Sequence, residues 1–235
     1  MAEPDEAHPE AVISPSTVPS TSEPKEYPPL TRTATALVAP APAPAAPSNR
    51  GGSRCLKRLQ VQGADVKALP KKDYPDVADP VAVEGPLGGV RYHYRGKREV
   101  HAVMDCSLAA ALLRAGPILK RFGIEKVIHY SALRPGARVA RSGRISGHAS
   151  GKAIDLGEFL GKTHLKVEKD FGVVRRGAPP CPPPKTAREL PLRQLVCALA
   201  DANLFQVLLT PNYNADHRDH LHLEVTASTA STYLR

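Results

Sequence analysis

The chain has 235 residues, room for one substantial domain or two small ones, and carries a formal charge of +9. That charge is uneven: residues 1–50 are net −3 and the remainder near +12, which suits a polyanionic partner such as nucleic acid, an anionic membrane surface or an acidic wall polymer, and equally serves plain solubility. No stretch is apolar for long enough to span a bilayer, which excludes a helical membrane protein.

Residues 1–50 hold 11 of the 24 prolines. The run Ala39-Pro40-Ala41-Pro42-Ala43-Pro44 is typical of an extended linker, because proline removes backbone donors and too few large apolar residues remain to form a core. A disordered tether over 1–50 is therefore expected. Its acidic start, Met1-Ala2-Glu3-Pro4-Asp5-Glu6, lacks the basic and apolar regions of a signal peptide. The folded domain is expected over 51–228, with 229–235 as a dispensable tail.

Asp105 can cap a helix running from Cys106, in which Leu108, Leu112, Ala115 and Leu119 recur at helical spacing. Gly116-Pro117 interrupts the pattern and predicts a kink or two pieces. Residues 127–131 read as a strand, 134–147 as a Gly/Arg/Ser-rich loop and 153–159 as a second strand. The proline density over 175–186 predicts a surface excursion. A helix follows Pro191, with Leu192, Leu195, Val196 and Leu199 as its apolar stripe and Asn203 as its terminator. Strands are expected over 205–209 and 220–225, with a turn at 210–214 between them. Strands separated irregularly by helices predict an α+β domain with a small, largely antiparallel sheet flanked by helices.

Two segments carry the chemistry: Ser146-Gly147-His148-Ala149-Ser150-Gly151-Lys152-Ala153-Ile154-Asp155, and Asp216 to Glu224. Alternation puts His220, His222 and Glu224 on one face of the final strand and Leu221, Leu223 and Val225 on the other. Two histidines at i and i+2 can converge on one ion; an ordinary half-exposed strand is the plainer alternative. Gly147 and Gly151 allow a sharp backbone path around His148. A carboxylate at Asp155, entering an apolar strand, needs a cation to meet it. Catalytic zinc takes three ligands of these kinds and keeps a position for water, and His148, Asp155 and His222 make that set. Asp219 is the candidate proton acceptor, although strict alternation puts it opposite His222 unless the chain bends before His220. His217 has no assigned part.

The pattern Ser146-x-His148-x-x-Gly151-x-Ala153-x-Asp155 with Asp219-x-x-His222 resembles the signature of the LAS zinc peptidases, among them D-Ala-D-Ala carboxypeptidases and murein endopeptidases. A closer resemblance, over roughly 55–226, is to the bacterial extensin-like C-terminal domain family. It is carried by Cys55-x-x-x-Leu59, Cys106-Ser107-Leu108-Ala109, the run at 148–155, Cys197, and Val207-Leu208-Leu209-Thr210-Pro211 before Asp219-His220-Leu221-His222-Leu223. The resemblance implies one zinc ion on His148, Asp155 and His222, with Asp219 as general base. It makes His220 a supporting or transition-state-stabilising residue and puts Ser146 and Arg134 at the substrate. Arg138, Arg141 and Arg144 compete with Arg134 for a substrate carboxylate, and a solvated basic loop is the alternative. Where the family usually has Cys-Arg, this chain has Leu133-Arg134. Cys181 can then replace the missing partner of Cys197, giving Cys181–Cys197 and Cys55–Cys106. Four buried thiols remain the alternative, since four cysteines allow three pairings.

The resemblance implies a zinc-dependent hydrolase of peptidoglycan stem peptides, periplasmic or extracellular; a monomer is expected, with peptidoglycan or another anionic wall polymer as partner and no nucleic acid. The alternatives are a cell-wall-binding module that keeps a structural zinc, and a histidine-based nuclease, for which other signals are lacking.

Overall fold

A computed structural model describes residues 52–140, 142–173, 181, 189–227 and 231–235. The chain divides into Met1–Pro42 and Ala43–Arg235, and the fold below belongs to the second unit. The expected linker over 1–50, Arg141 and nearly all of the excursion at 175–186 lie outside the described residues.

The elements run α1 (Gly52–Val61), β1 (Val66–Ala68), β2 (Pro80–Val83), β3 (Arg91–Tyr94), β4 (Met104–Asp105), α2 (Cys106–Arg121), β5 (Ile124–Ser131), β6 (Ala153–Gly161) and β7 (His164–Lys166). They continue with α3 (Val167–Asp170), α4 (Leu190–Asp201), β8 (Val207–Leu209), β9 (Leu221–Glu224) and β10 (Tyr233–Leu234). A three-stranded sheet has the order β1-β2-β4; the larger sheet runs β10-β8-β9-β6-β5-β3, with β7 also on β6. The inner pairs are antiparallel, and the outer pairs β10/β8 and β3/β5 are parallel. The α+β class follows from this alternation of helices with a mostly antiparallel sheet.

The two long helices form as their periodicity predicts. The Asp105 carboxylate accepts from the Ser107 N–H and caps α2. Leu108, Leu112, Ala115 and Leu119 of α2, and Leu192, Leu195, Val196 and Leu199 of α4, are at most 1% exposed. Asn203 adopts a left-handed φ of 50° just beyond α4, a conformation asparagine tolerates at a helix end. Of the two outcomes expected at Gly116-Pro117, the split into two pieces does not occur: α2 runs as one helix through Pro117. Proline cannot donate to the Leu113 carbonyl, and the Gly88 backbone packs there instead. A Cβ at Gly116 would lie 2.3 Å from the Gly88 carbonyl oxygen, so the glycine is required by close packing.

The cysteines pair as Cys55–Cys106 and Cys181–Cys197. The first pins α1 to the start of α2, directly after the helix-capping Asp105.

Within 229–235, the stretch expected as a tail, the described residues include a strand. Tyr233–Leu234 forms β10, the edge strand beside β8. The Tyr233 N–H donates to Gln206, the Arg235 N–H to Leu208 and the Thr210 N–H back to Arg235. Such a short strand after a polar stretch shows no period in sequence; pairing and the burial of Leu234, 7% exposed, hold it. Leu234→Ala is expected to lower unfolding free energy by about 2 kcal/mol, read as a shifted urea midpoint; an unchanged midpoint would return this segment to the role of a tail.

His129 on β5 is 2% exposed, and its Nδ1 lacks a hydrogen-bond partner. Burial, with His93 nearby, pushes its imidazole down to about 4. The unfolded chain therefore binds a proton that the folded one refuses. His129 supports stability fully above about pH 6.5, and that support, at most about 3 kcal/mol, is lost as pH falls towards 4. In the presence of a chelator, so that metal release does not contribute, His129→Leu is expected to flatten the fall in unfolding free energy across this window. An equally steep fall in both proteins would contradict it.

Candidate metal centre

The strand register builds the site. Ser131 on β5 is paired with Asp155 on β6, and Asp155 with His222 on β9. Alternation sends Ile154, Leu156, Leu221 and Leu223 into the core, leaving Asp155 and His222 on the other face. His148 arrives from the 3-10 turn Gly147–Ser150, where the Ser146 hydroxyl caps by accepting the His148 N–H. Gly151 closes that turn with a left-handed φ of 65°. At Gly147 an ideal Cβ would fall 2.4 Å from the Glu224 carboxyl carbon, so glycine lets Glu224 lie against the turn.

Three donor atoms meet there. His148 Nε2 lies 3.0 Å from Asp155 Oδ1 and 3.1 Å from His222 Nδ1, and His222 Nδ1 lies 3.0 Å from the same Oδ1. These are a few tenths of an ångström below the edge, about 3.3 Å, of a tetrahedron centred on an ion about 2.0–2.1 Å from its ligands. The residues are 0%, 3% and 7% exposed.

The outward-facing atoms of the same groups fix their chemistry. His148 Nδ1 donates to the Ala132 carbonyl at 2.8 Å, which leaves Nε2 of the neutral ring as a lone pair. His222 Nε2 donates to Glu224 Oε2 at 3.3 Å, which does the same for its Nδ1. Asp155 Oδ2 accepts from Ser131 Oγ at 3.1 Å and lies 3.6 Å from Arg134 Nη2. Two neutral imidazoles and a carboxylate thus turn three acceptors on one point, which needs a cation; such outer partners are how metal-ligating histidines are oriented. Without an ion, a proton substitutes. Burial opposes a charge on His222, yet hydrogen bonds to Asp155 and Glu224 push its pKa up to about 9. Burial depresses His148. Burial would raise Asp155, but hydrogen bonds from His148 and His222 hold it well below the usual carboxylate range. His148, Asp155 and His222 can therefore hold a metal ion.

The remaining sequence-predicted residues fall into place unevenly. Asp219 precedes β9, so strand alternation does not govern it. A 3-10 turn, Ala215–His217, bends the chain, capped by Asn214, whose side chain accepts from the Asp216 and His217 N–H groups. Asp219 Oδ1 then accepts from His220 Nδ1 at 2.8 Å, while His220 Nε2 lies 3.5 Å from Asp155 Oδ1. Asp155, Asp219, His220 and Arg134 share the wall of an open cleft of about 430 Å³. Arg138 is instead tied to the Gly143 carbonyl, and neither it nor Arg144 lines the cleft. Ser146 acts as a cap and is also absent from the cleft wall. His217 donates from Nδ1 to Asn214 Oδ1 at 2.6 Å and packs 5.1 Å from the His220 ring and 5.8 Å from that of His222. Burial and these two neighbours push it down to about 4, so it abuts the site as a neutral ring.

Sequence reasoning missed Tyr94, His101, Tyr130 and Ser131 as cleft residues. The alternation Arg91-Tyr92-His93-Tyr94 was a readable strand signal. His101, in a short 3-10 turn, gave none.

Among known proteins, neither the curated sequences nor the solved structures provide a match. The family described as Extensin-like protein C-terminus matches residues 53–235, from α1 through β10 and including both site segments. The chain therefore belongs to the extensin-like C-terminal family.

Proposed function

We propose that this domain is a zinc-dependent hydrolase that cleaves peptide bonds in peptidoglycan stem peptides. The observation that carries the reading is the buried three-donor set with preset tautomers, whose Asp155 lines a cleft that also holds Asp219, His220 and Arg134. His148, Asp155 and His222 would hold zinc, which when bound polarises a carbonyl and acidifies water. The resemblance to the LAS peptidases supports zinc over other divalent ions for this set.

The chain's own groups divide the remaining work. The Asp219 carboxylate accepts the proton of the attacking water and passes it to the leaving amine. Its bond to His220 Nδ1 orients that ring, whose Nε2 faces the reacting centre. Arg134, anchored through its N–H to the His148 carbonyl at 2.8 Å, presents a half-exposed guanidinium to a substrate carboxylate. The basic body suits an anionic wall. Two disulfides favour an oxidising compartment, periplasmic or extracellular. No described helix is long and apolar enough to cross a membrane.

The depth of the ligands favours one second reading, a wall-binding module in which zinc only holds the fold. Digestion of purified muropeptides by zinc-loaded protein, followed by mass spectrometry, separates the two. Cleaved stems support hydrolysis; stems left intact by fully loaded protein, yet retained on it, support the module.

A further inference from the structure

One histidine outside the ligand set ties the metal centre to the cleft wall. His101 lies in the 3-10 turn Glu99–Ala102. Its carbonyl accepts from the Ala132 N–H at 2.7 Å, and its ring Nδ1 donates to the Leu133 carbonyl at 2.7 Å. His148 grips the same peptide from its other groups: its ring donates to the Ala132 carbonyl, and its own carbonyl accepts the Arg134 N–H. Residues 132–134 are thus clasped between His101 and His148, which fixes where Arg134 leaves the backbone.

The second consequence is chemical. A carbonyl only accepts, so the His101 proton sits on Nδ1 and Nε2 of the neutral ring is an acceptor. No described protein group bonds to that Nε2, and the ring lines the cleft beside Ser131, Arg134 and Asp155. The Tyr94 ring stands 6.0 Å away. Arg134 offers only donors to a ligand. An oriented acceptor beside it, bonded to the same clasped segment, calls for a ligand that presents a carboxylate and an N–H close together. The last peptide unit of a chain with a free C-terminus does so.

We propose that His101 is a specificity-determining residue, its Nε2 accepting the N–H of a peptide bond next to a carboxylate held by Arg134. This rests on the peptide-hydrolase reading and narrows its substrates to peptides with a free terminal carboxylate and an unsubstituted terminal amide. Esters and N-methylated amides lack the donor.

The test uses the full chain, zinc-loaded and carrying Asp219→Asn so that ligand is not consumed. A synthetic stem pentapeptide and its analogue with a terminal ester in place of the amide are titrated calorimetrically. The amide is expected to bind about tenfold more tightly than the ester. His101→Phe should erase the difference, whereas His101→Gln, which keeps an acceptor, should retain part of it. Zinc content is measured in each protein, so that a misfolded variant shows itself. Equal binding of amide and ester, or undiminished discrimination in His101→Phe, overturns the inference while leaving the hydrolase reading intact. If fully loaded protein binds neither ligand, the peptide reading falls and this inference with it.

Discussion

Asp219→Ala is expected to bind zinc like the wild type and to cleave stem peptides about 10²–10⁴-fold more slowly. Asp219 is outside the buried donor set, so its loss removes no ligand. It does remove a carboxylate at the cleft wall and the acceptor that orients His220 Nδ1. Both losses fall on proton transfer, so the expected signature is a lower kcat with little change in KM. His220→Ala is expected to slow the same step, and the double variant to be little worse than the poorer single one, because the two residues act as one unit. If both variants keep full rates, the assignment of the proton acceptor fails. Loss of zinc from Asp219→Ala would instead give Asp219 a role in holding the ion.

Asp155→Asn is expected to abolish stoichiometric zinc binding with little change in shape. Its Oδ1 lies within 3.0 Å of both histidine donors, and its Oδ2 is held by Ser131. An amide is nearly isosteric but carries no charge, and a buried divalent ion facing two neutral imidazoles needs that charge. Apparent zinc affinity is expected to fall by several orders of magnitude, and hydrolysis with it. His148→Ala is expected to do the same and to disturb the fold more, since the His148 ring also ties down the Ala132 carbonyl. Retention of one tightly held zinc by Asp155→Asn would remove Asp155 from the ligand set.

The legible parts of this fold were those with a long period or a dense motif. The stripes of α2 and α4 span about three and about two turns and predicted their buried faces residue by residue. The glycines around His148 and the alternation of Leu221, His222 and Leu223 pointed to residues that the fold brings together as a group able to hold a metal ion. The β1-β2-β4 sheet and β10 were not legible, because, unlike β9, their two to four residues show no sustained polar–apolar alternation and adjoin no dense motif. Pro117 did not split α2, and the Gly88 backbone packs against Leu113 and Gly116 beside it. The place of Asp219 was undecidable from spacing, since it depends on where β9 begins and on the turn that Asn214 caps. His101 was invisible because its contacts are the Leu133 carbonyl and the Ala132 N–H, some thirty positions later.

The central claim is that His148, Asp155 and His222 bind one zinc ion that serves hydrolysis. Zinc-edge X-ray absorption on the purified full chain, with metal quantified, tests it most directly. The expected spectrum shows one zinc per chain, two imidazole nitrogens, and carboxylate and water oxygens at about 2.0–2.2 Å. A protein that takes up no zinc after chelation and reloading, or that holds stoichiometric iron at this site instead, would contradict the account.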